Sequence, residues 1–167
     1  MTLRAAALHH DGSRDIDALL AAAVARQRAR GHRVHGLLMD YAGERGECAS
    51  AMFLVDIASG ERYLVSQNLG SGSRACRADP QGFARASRVL REAGDAAPDL
   101  VVSNRFGGLE SEGAGFAAEL LELMSRGIPL LTVVATPHLP AWQRFTGGAE
   151  VLPPEALDAW LDRTLGG

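Results

Sequence analysis

The sequence has 167 residues, of which 47% are hydrophobic and 22% charged. That balance fits one compact domain with a sizeable core and argues against a disordered or low-complexity chain. A formal net charge of −3 argues against nucleic acid or an anionic membrane surface as partner, because both need concentrated positive charge.

The opening MTLRAAALHHDG has neither a signal-peptide core nor a cleavage site, and no stretch approaches the roughly 20 apolar residues of a membrane span. A cytoplasmic protein without membrane insertion is the expectation. Cys48 and Cys76 lack a CxxC neighbour and read as reduced thiols.

In chain order, the apolar run 3–8 ending at His9-His10-Asp11-Gly12 predicts a strand and a turn. Ile16, Leu19, Leu20, Ala23 and Val24 then recur at helical spacing. Asp15 and Asp17 open this helix, while Arg26, Arg28 and Arg30 close it before Gly31, in keeping with the helix dipole. Residues 33–39 predict a second strand. Residues 51–57 and 62–66 predict a hairpin with Gly60 in its turn. A Gly/Ser loop follows over 68–77. Asp79-Pro80 predicts the start of a helix, with Asp79 as N-cap and Pro80 first inside.

The nearly all-apolar run 99–103 predicts a strand buried on both faces. A loop over 104–113 leads to a helix whose apolar stripe is Phe116, Leu120, Leu123 and Met124. Residues 130–135 predict another buried strand, Trp142 and Phe145 a short helix, and 154–165 a terminal helix. Strands alternating with helices imply one α/β domain over 1–167, with a parallel sheet covered on both faces. Ligands of such sheets bind beyond the carboxyl ends of the strands, which directs attention to loops 9–14, 104–113 and 136–142.

This order, with the turn Asp56-Ile57-Ala58-Ser59-Gly60-Glu61 and the strand end Ser103-Asn104-Arg105-Phe106-Gly107, resembles the small thermophile-type nucleoside triphosphatases. The resemblance implies a three-layer P-loop NTPase-like sheet with an inserted β-hairpin. A closer resemblance, to the bacterial DUF2478 family, rests on Cys48, Ser66-Gln67, Gly72 to Cys76, Asn104 to Gly107, Glu110, Glu112-Gly113 and Trp142. Its members are often encoded beside molybdate-uptake genes, which implies a link to molybdate or molybdenum cofactor metabolism. They usually carry lysine after the Arg-Phe-Gly, where this chain has Gly108.

Phosphate cradling by a P-loop needs GxxxxGK[ST], with backbone N–H groups and a lysine on the phosphates. The corresponding turn, HHDGSRDID, has one glycine, and the chain contains no lysine, since all 17 basic residues are arginine. The Walker B carboxylate is also absent, with Ser103 and Asn104 in its place. The domain thus lacks both Walker signatures, which argues against ordinary triphosphate hydrolysis.

The Gly/Ser loop supplies Ser71, Ser73, Arg74 and Cys76, and the following strand end supplies Asn104, Arg105 and Glu110. Together they form the candidate site for a small anion, molybdate or a nucleotide-like ligand. Pairing of Arg105 with Glu110 or Glu112 is the plainer reading of those charges. His9, His10, Asp11 and His138 lie at the same predicted edge, but neighbours on an extended chain point apart, so no metal site is assigned. The leading reading is a non-hydrolytic ligand-binding protein with no assigned cofactor. The alternatives are a nucleotide or pterin phosphotransferase using arginines instead of lysine, and an interaction partner of a molybdate transporter.

Overall fold

A computed structural model describes residues 3–42, 51–68 and 76–166. A seven-stranded sheet carries β1 (Ala5–His10), β2 (Val34–Ala42), β3 (Ala51–Asp56), β4 (Arg62–Leu64), β7 (Leu100–Phe106), β8 (Leu130–Ala135) and β9 (Glu150–Leu152). The spatial order is β4-β3-β2-β7-β8-β1-β9. β2, β7, β8, β1 and β9 run parallel, while β3 and β4 add antiparallel at one edge. A separate antiparallel ribbon pairs β5 (Ser66–Asn68) with β6 (Cys76–Ala78).

Each face of the sheet has its own core. Helix α1 (Ile16–Ala29) and helix α6 (Leu157–Leu165) cover one face, where Leu20, Val24, Trp160 and Leu161 pack on Ala6, Leu8, Val102 and Val133. Helices α2 (Pro80–Asp95), α4 (Ala117–Ser125) and α5 (Leu139–Thr146) cover the other, where Leu90, Leu120, Leu123 and Trp142 pack on Ala7, Val101, Leu130 and Val134. β7 and β8 alternate side chains between the two cores, which is why they read as continuous apolar runs.

The predicted caps form. Asp15 accepts a hydrogen bond from Ala18 N at 3.1 Å, and Asp79 from Gln81 N at 3.0 Å with Pro80 opening α2. Several boundaries differ from expectation. β7 continues through Asn104 and Arg105 to Phe106, and the four-residue helix α3 (Gly108–Ser111) replaces the start of the expected loop. β9 was not expected, because three residues after Gly147-Gly148 carry no strand periodicity. The expected loop 68–77 begins and ends in the ribbon strands, and residues 69–75, with Cys48, lie outside the described residues.

The chain passes from β1 to β2 on one side of β1, and from β8 to β9 on the other. Connections leaving in opposite directions open a crevice above the carboxyl ends of β1 and β8, with β7 alongside. Close approach at β2 maintains the sheet beside it. Gly36 has φ +119°, and a Cβ there would lie 1.9 Å from the carbonyl oxygen of Val102. Gly36→Ala is therefore expected to cost at least about 2 kcal/mol, measured by chemical denaturation; a change within 0.5 kcal/mol would show that the β2–β7 contact relaxes freely.

Candidate functional site

β7 delivers polar side chains to the crevice through an irregularity, a shift of register in its pairing with β8 between Ser103 and Phe106. Such irregularities re-aim side chains at the end of a strand. Asn104 and Arg105 both reach the first turn of α1. Arg105 donates from one terminal nitrogen to both oxygens of Asp17, at 3.1 and 3.0 Å, and Asn104 Nδ2 donates to Asp17 Oδ1 at 3.0 Å.

Tyr41 lies within electrostatic reach of the same carboxylate. Burial raises the Tyr41 pKa above its ordinary value, Arg105 opposes this, and the Asp17 charge adds to it. Asp17 is 8% exposed and Asn104 1%, so this is a largely desolvated charge cluster joining α1, β2 and β7.

Arg105 thus pairs with Asp17 rather than with Glu110 or Glu112. Glu110 is 5% exposed and turned into its own loop, where its two oxygens accept from Gly107 N and Phe116 N, both at 2.9 Å. Burial raises the Glu110 pKa above the usual carboxylate value, while the hydrogen bonds from Gly107 and Phe116 lower it. A Cβ on Gly115 would lie 1.8 Å from this carboxylate. Glu110 therefore braces residues 107–116.

Of the other candidates, Ser71, Ser73 and Arg74 lie outside the described residues, and Cys76 begins β6. Two of the candidate histidines make side-chain contacts. His9 Nε2 meets Thr136 Oγ1 at 2.8 Å, linking the ends of β1 and β8, and His138 Nδ1 lies 3.3 Å from Ser111 Oγ. Among the described residues, no group of three or more His, Cys, Asp or Glu side chains is arranged to hold a metal ion. Trp142 is fully buried, edge-on to Phe106 with centroids 5.4 Å apart, and belongs to the core.

Sequence reasoning used Asp17 only as a helix-start signal. Its second role had one visible trace: a second acid two residues after the cap, on a face that the apolar periodicity turns inward. Two atoms of the cluster remain without hydrogen-bond partners among the described residues, the buried Nε of Arg105 and the Oδ1 of Asn104. Buried polar atoms are seldom left so.

The carboxyl-edge crevice, with acid on the helix and guanidinium on the strand, sits within a recognised sequence family. The chain belongs to the DUF2478 family. The family model, described as a protein of unknown function, matches residues 5–160. The DUF2478 domain is also similar to the molybdenum import ATP-binding protein ModC 2 of Bradyrhizobium diazoefficiens. Identity is 32% over 160 residues, covering 94% of this chain and 18% of that protein. The chain thus spans less than a fifth of the relative's length. No solved structure matches, and no helix among the described residues is long and apolar enough to cross a membrane.

The ion pair is expected to be a main tie between α1 and β7. Asp17→Ala should cost about 2–3 kcal/mol, since charge-assisted bonds in a partly buried site exceed surface pairs. A double-mutant cycle with Arg105→Met should give a coupling above about 1 kcal/mol. Additive effects in denaturant melts would show that the two charges act independently.

Proposed function

We propose that this domain binds a small anionic or nucleotide-like ligand in the carboxyl-edge crevice without hydrolysing it, on a degenerate P-loop-type scaffold. The observation that carries the reading is the Asp17–Arg105–Asn104 cluster. In P-loop enzymes a Ser or Thr at the start of the helix after the first strand, together with a carboxylate at the end of the Walker B strand, holds Mg²⁺. Here the start of α1 carries a carboxylate and the end of β7 carries amide and guanidinium, bonded to each other at 3.0–3.1 Å. The protein's own cation stands where a metal would be recruited. The unpartnered Arg105 Nε supplies a donor for an anionic oxygen, and the unpartnered Asn104 Oδ1 an acceptor for an N–H or O–H of the same ligand, which favours a nucleotide-like ligand over a bare oxyanion.

Asp17 balances the charge of Arg105, so the attraction for an anion falls on the Gly/Ser segment. We assign that role, on sequence grounds, to Arg74 with Ser71 and Ser73, and Cys76 adjoins them. The name of the similar ModC 2 protein suggests a setting in molybdenum import, with molybdate as one candidate ligand. A phosphotransferase using arginines, and a partner of the transporter that acts through its surface, remain the alternative functions.

Purified protein with Mg²⁺ is expected not to turn over ATP or GTP above background. Turnover that copurifies with the folded domain and disappears on its unfolding would assign it to the enzymes instead. A thermal-shift panel of ATP, GTP, molybdate, tungstate and phosphate, each with and without Mg²⁺, tests the binding reading. A true ligand at 100 times its Kd adds about 2.7 kcal/mol. The stabilisation should be independent of Mg²⁺ and reduced at least tenfold in affinity by Arg74→Ala. If no ligand shifts the transition, the domain acts through its surface.

A further inference from the structure

At the opposite, amino end of the sheet, α1 ends and the chain turns into β2 around an open concavity of about 300 Å³ lined by Arg28, Gly31, His32, Arg33, Val34, His35 and Ala58. Four of these seven residues are basic and none is acidic. The side chains of Arg28, His32, Arg33 and His35 have no hydrogen-bond or ion-pair partner among the described residues. On the same helix Arg26 and Arg30 are paired, with Asp158 at 2.8 Å and Asp162 at 3.2 Å. Partners were available nearby, and the concavity was left without them.

Arg28 suits the negative end of the α1 dipole, but no side chain is needed to satisfy the hydrogen bonds of the helix end. The last carbonyls of α1 already accept backbone N–H groups: Arg26 O and Gln27 O from Arg30, Arg28 O from Gly31, and Gln27 O also from His32. The neighbouring acids are committed to other donors. Asp99 accepts from Arg33 N at 2.7 Å, and Asp56 accepts from Ala58 N and the Ser59 hydroxyl, both at 2.9 Å. Their charges temper the local potential, but their oxygens do not occupy the guanidinium donors.

We infer that this concavity is an anion-binding site, distinct from the crevice, for a tetrahedral oxyanion of the phosphate or molybdate type. Two guanidiniums give planar donor forks that match such oxygens, and the two imidazoles among the lining residues can each add an N–H donor. The volume is at the small end of ligand pockets and has room for a tetrahedral group. That group is either a free ion or the phosphate of a larger ligand.

The test is an NMR titration of the histidine ring signals at fixed pH and constant ionic strength balanced with chloride. Inorganic phosphate, molybdate and glycerol phosphate are added in separate series. His32 and His35 are expected to shift saturably with the oxyanions and not with chloride. The Arg28→Ala/Arg33→Ala variant should weaken the interaction at least tenfold, about 1.4 kcal/mol. Both substituted residues are exposed, so the fold should be unchanged. Arg26→Ala/Arg30→Ala, which removes paired guanidiniums from the same helix, should leave it within twofold. Shifts that grow without saturating, or that saturate equally in the first variant, overturn the site. Tighter binding of glycerol phosphate than of phosphate identifies a larger ligand, and the reverse order a free ion; either result requires the site to exist.

Discussion

The carboxylate of Asp17 enters the interior from the first turn of α1, receives donors from two consecutive residues of β7 and lies within electrostatic reach of Tyr41 on β2. The arrangement of the crevice follows from it. A helix opening beside a parallel strand ordinarily offers free N–H groups to an anion. Here Asp15 caps the turn and Asp17 draws a guanidinium across its mouth. The polar end of β7, which would otherwise bury an unpaired charge, thereby becomes tolerable in a strand that is nearly dry throughout. Removing either partner leaves the other charge without compensation, so the pair holds α1, β2 and β7 in one geometry.

The absence of lysine sharpens the meaning of each cation. Guanidinium forks pair with carboxylates in fixed geometry and stay charged when partly buried. Most of the described pairs, such as Arg26–Asp158, Arg62–Asp40 and Arg126–Asp95, are exposed and contribute little individually. Arg105–Asp17 differs because its side chains are 26% and 9% exposed. Surface pairing also makes an unpaired arginine in a concave setting informative, as at Arg28 and Arg33.

The regular elements were legible because their signals are local. Asp15 and Asp79 mark helix starts, Gly31 marks an end, and the runs in β7 and β8 are apolar on both faces because both faces are covered. The site was harder to read. Asn104, Arg105 and Glu110 were identified as polar residues at the end of a buried strand, but their partners depend on strand order. Nothing within 104–113 shows that Asp17, 88 residues away from Arg105, stands closer to it than Glu110 does. Glu110 is diverted by a local contact, the Gly107 and Phe116 N–H groups of its own turn, and that diversion leaves Arg105 to the helix. β9 escaped notice because a three-residue edge strand is defined by its neighbour β1 rather than by its own periodicity.

Helix α1 connects these electrostatic settings. Its 14 residues span about 21 Å at 1.5 Å per residue, with acids at the start and arginines at the end, as the dipole favours. At the carboxyl edge that pattern is neutralised: Asp17 is matched by Arg105, and an arriving anion meets oriented dipoles with no uncompensated charge from this pair. At the amino edge Arg26 and Arg30 are matched by α6, while Arg28, joined by Arg33 from the turn, is left over. Asp56 and Asp99 offset those two charges, so the amino edge presents free guanidinium donors rather than a strong long-range field. Recognition in the crevice likewise depends on short-range hydrogen bonding, with Arg105 Nε as donor and Asn104 Oδ1 as acceptor, and on charge supplied from outside the pair. A ligand held mainly by such contacts loses less affinity with added salt than one held by net charge.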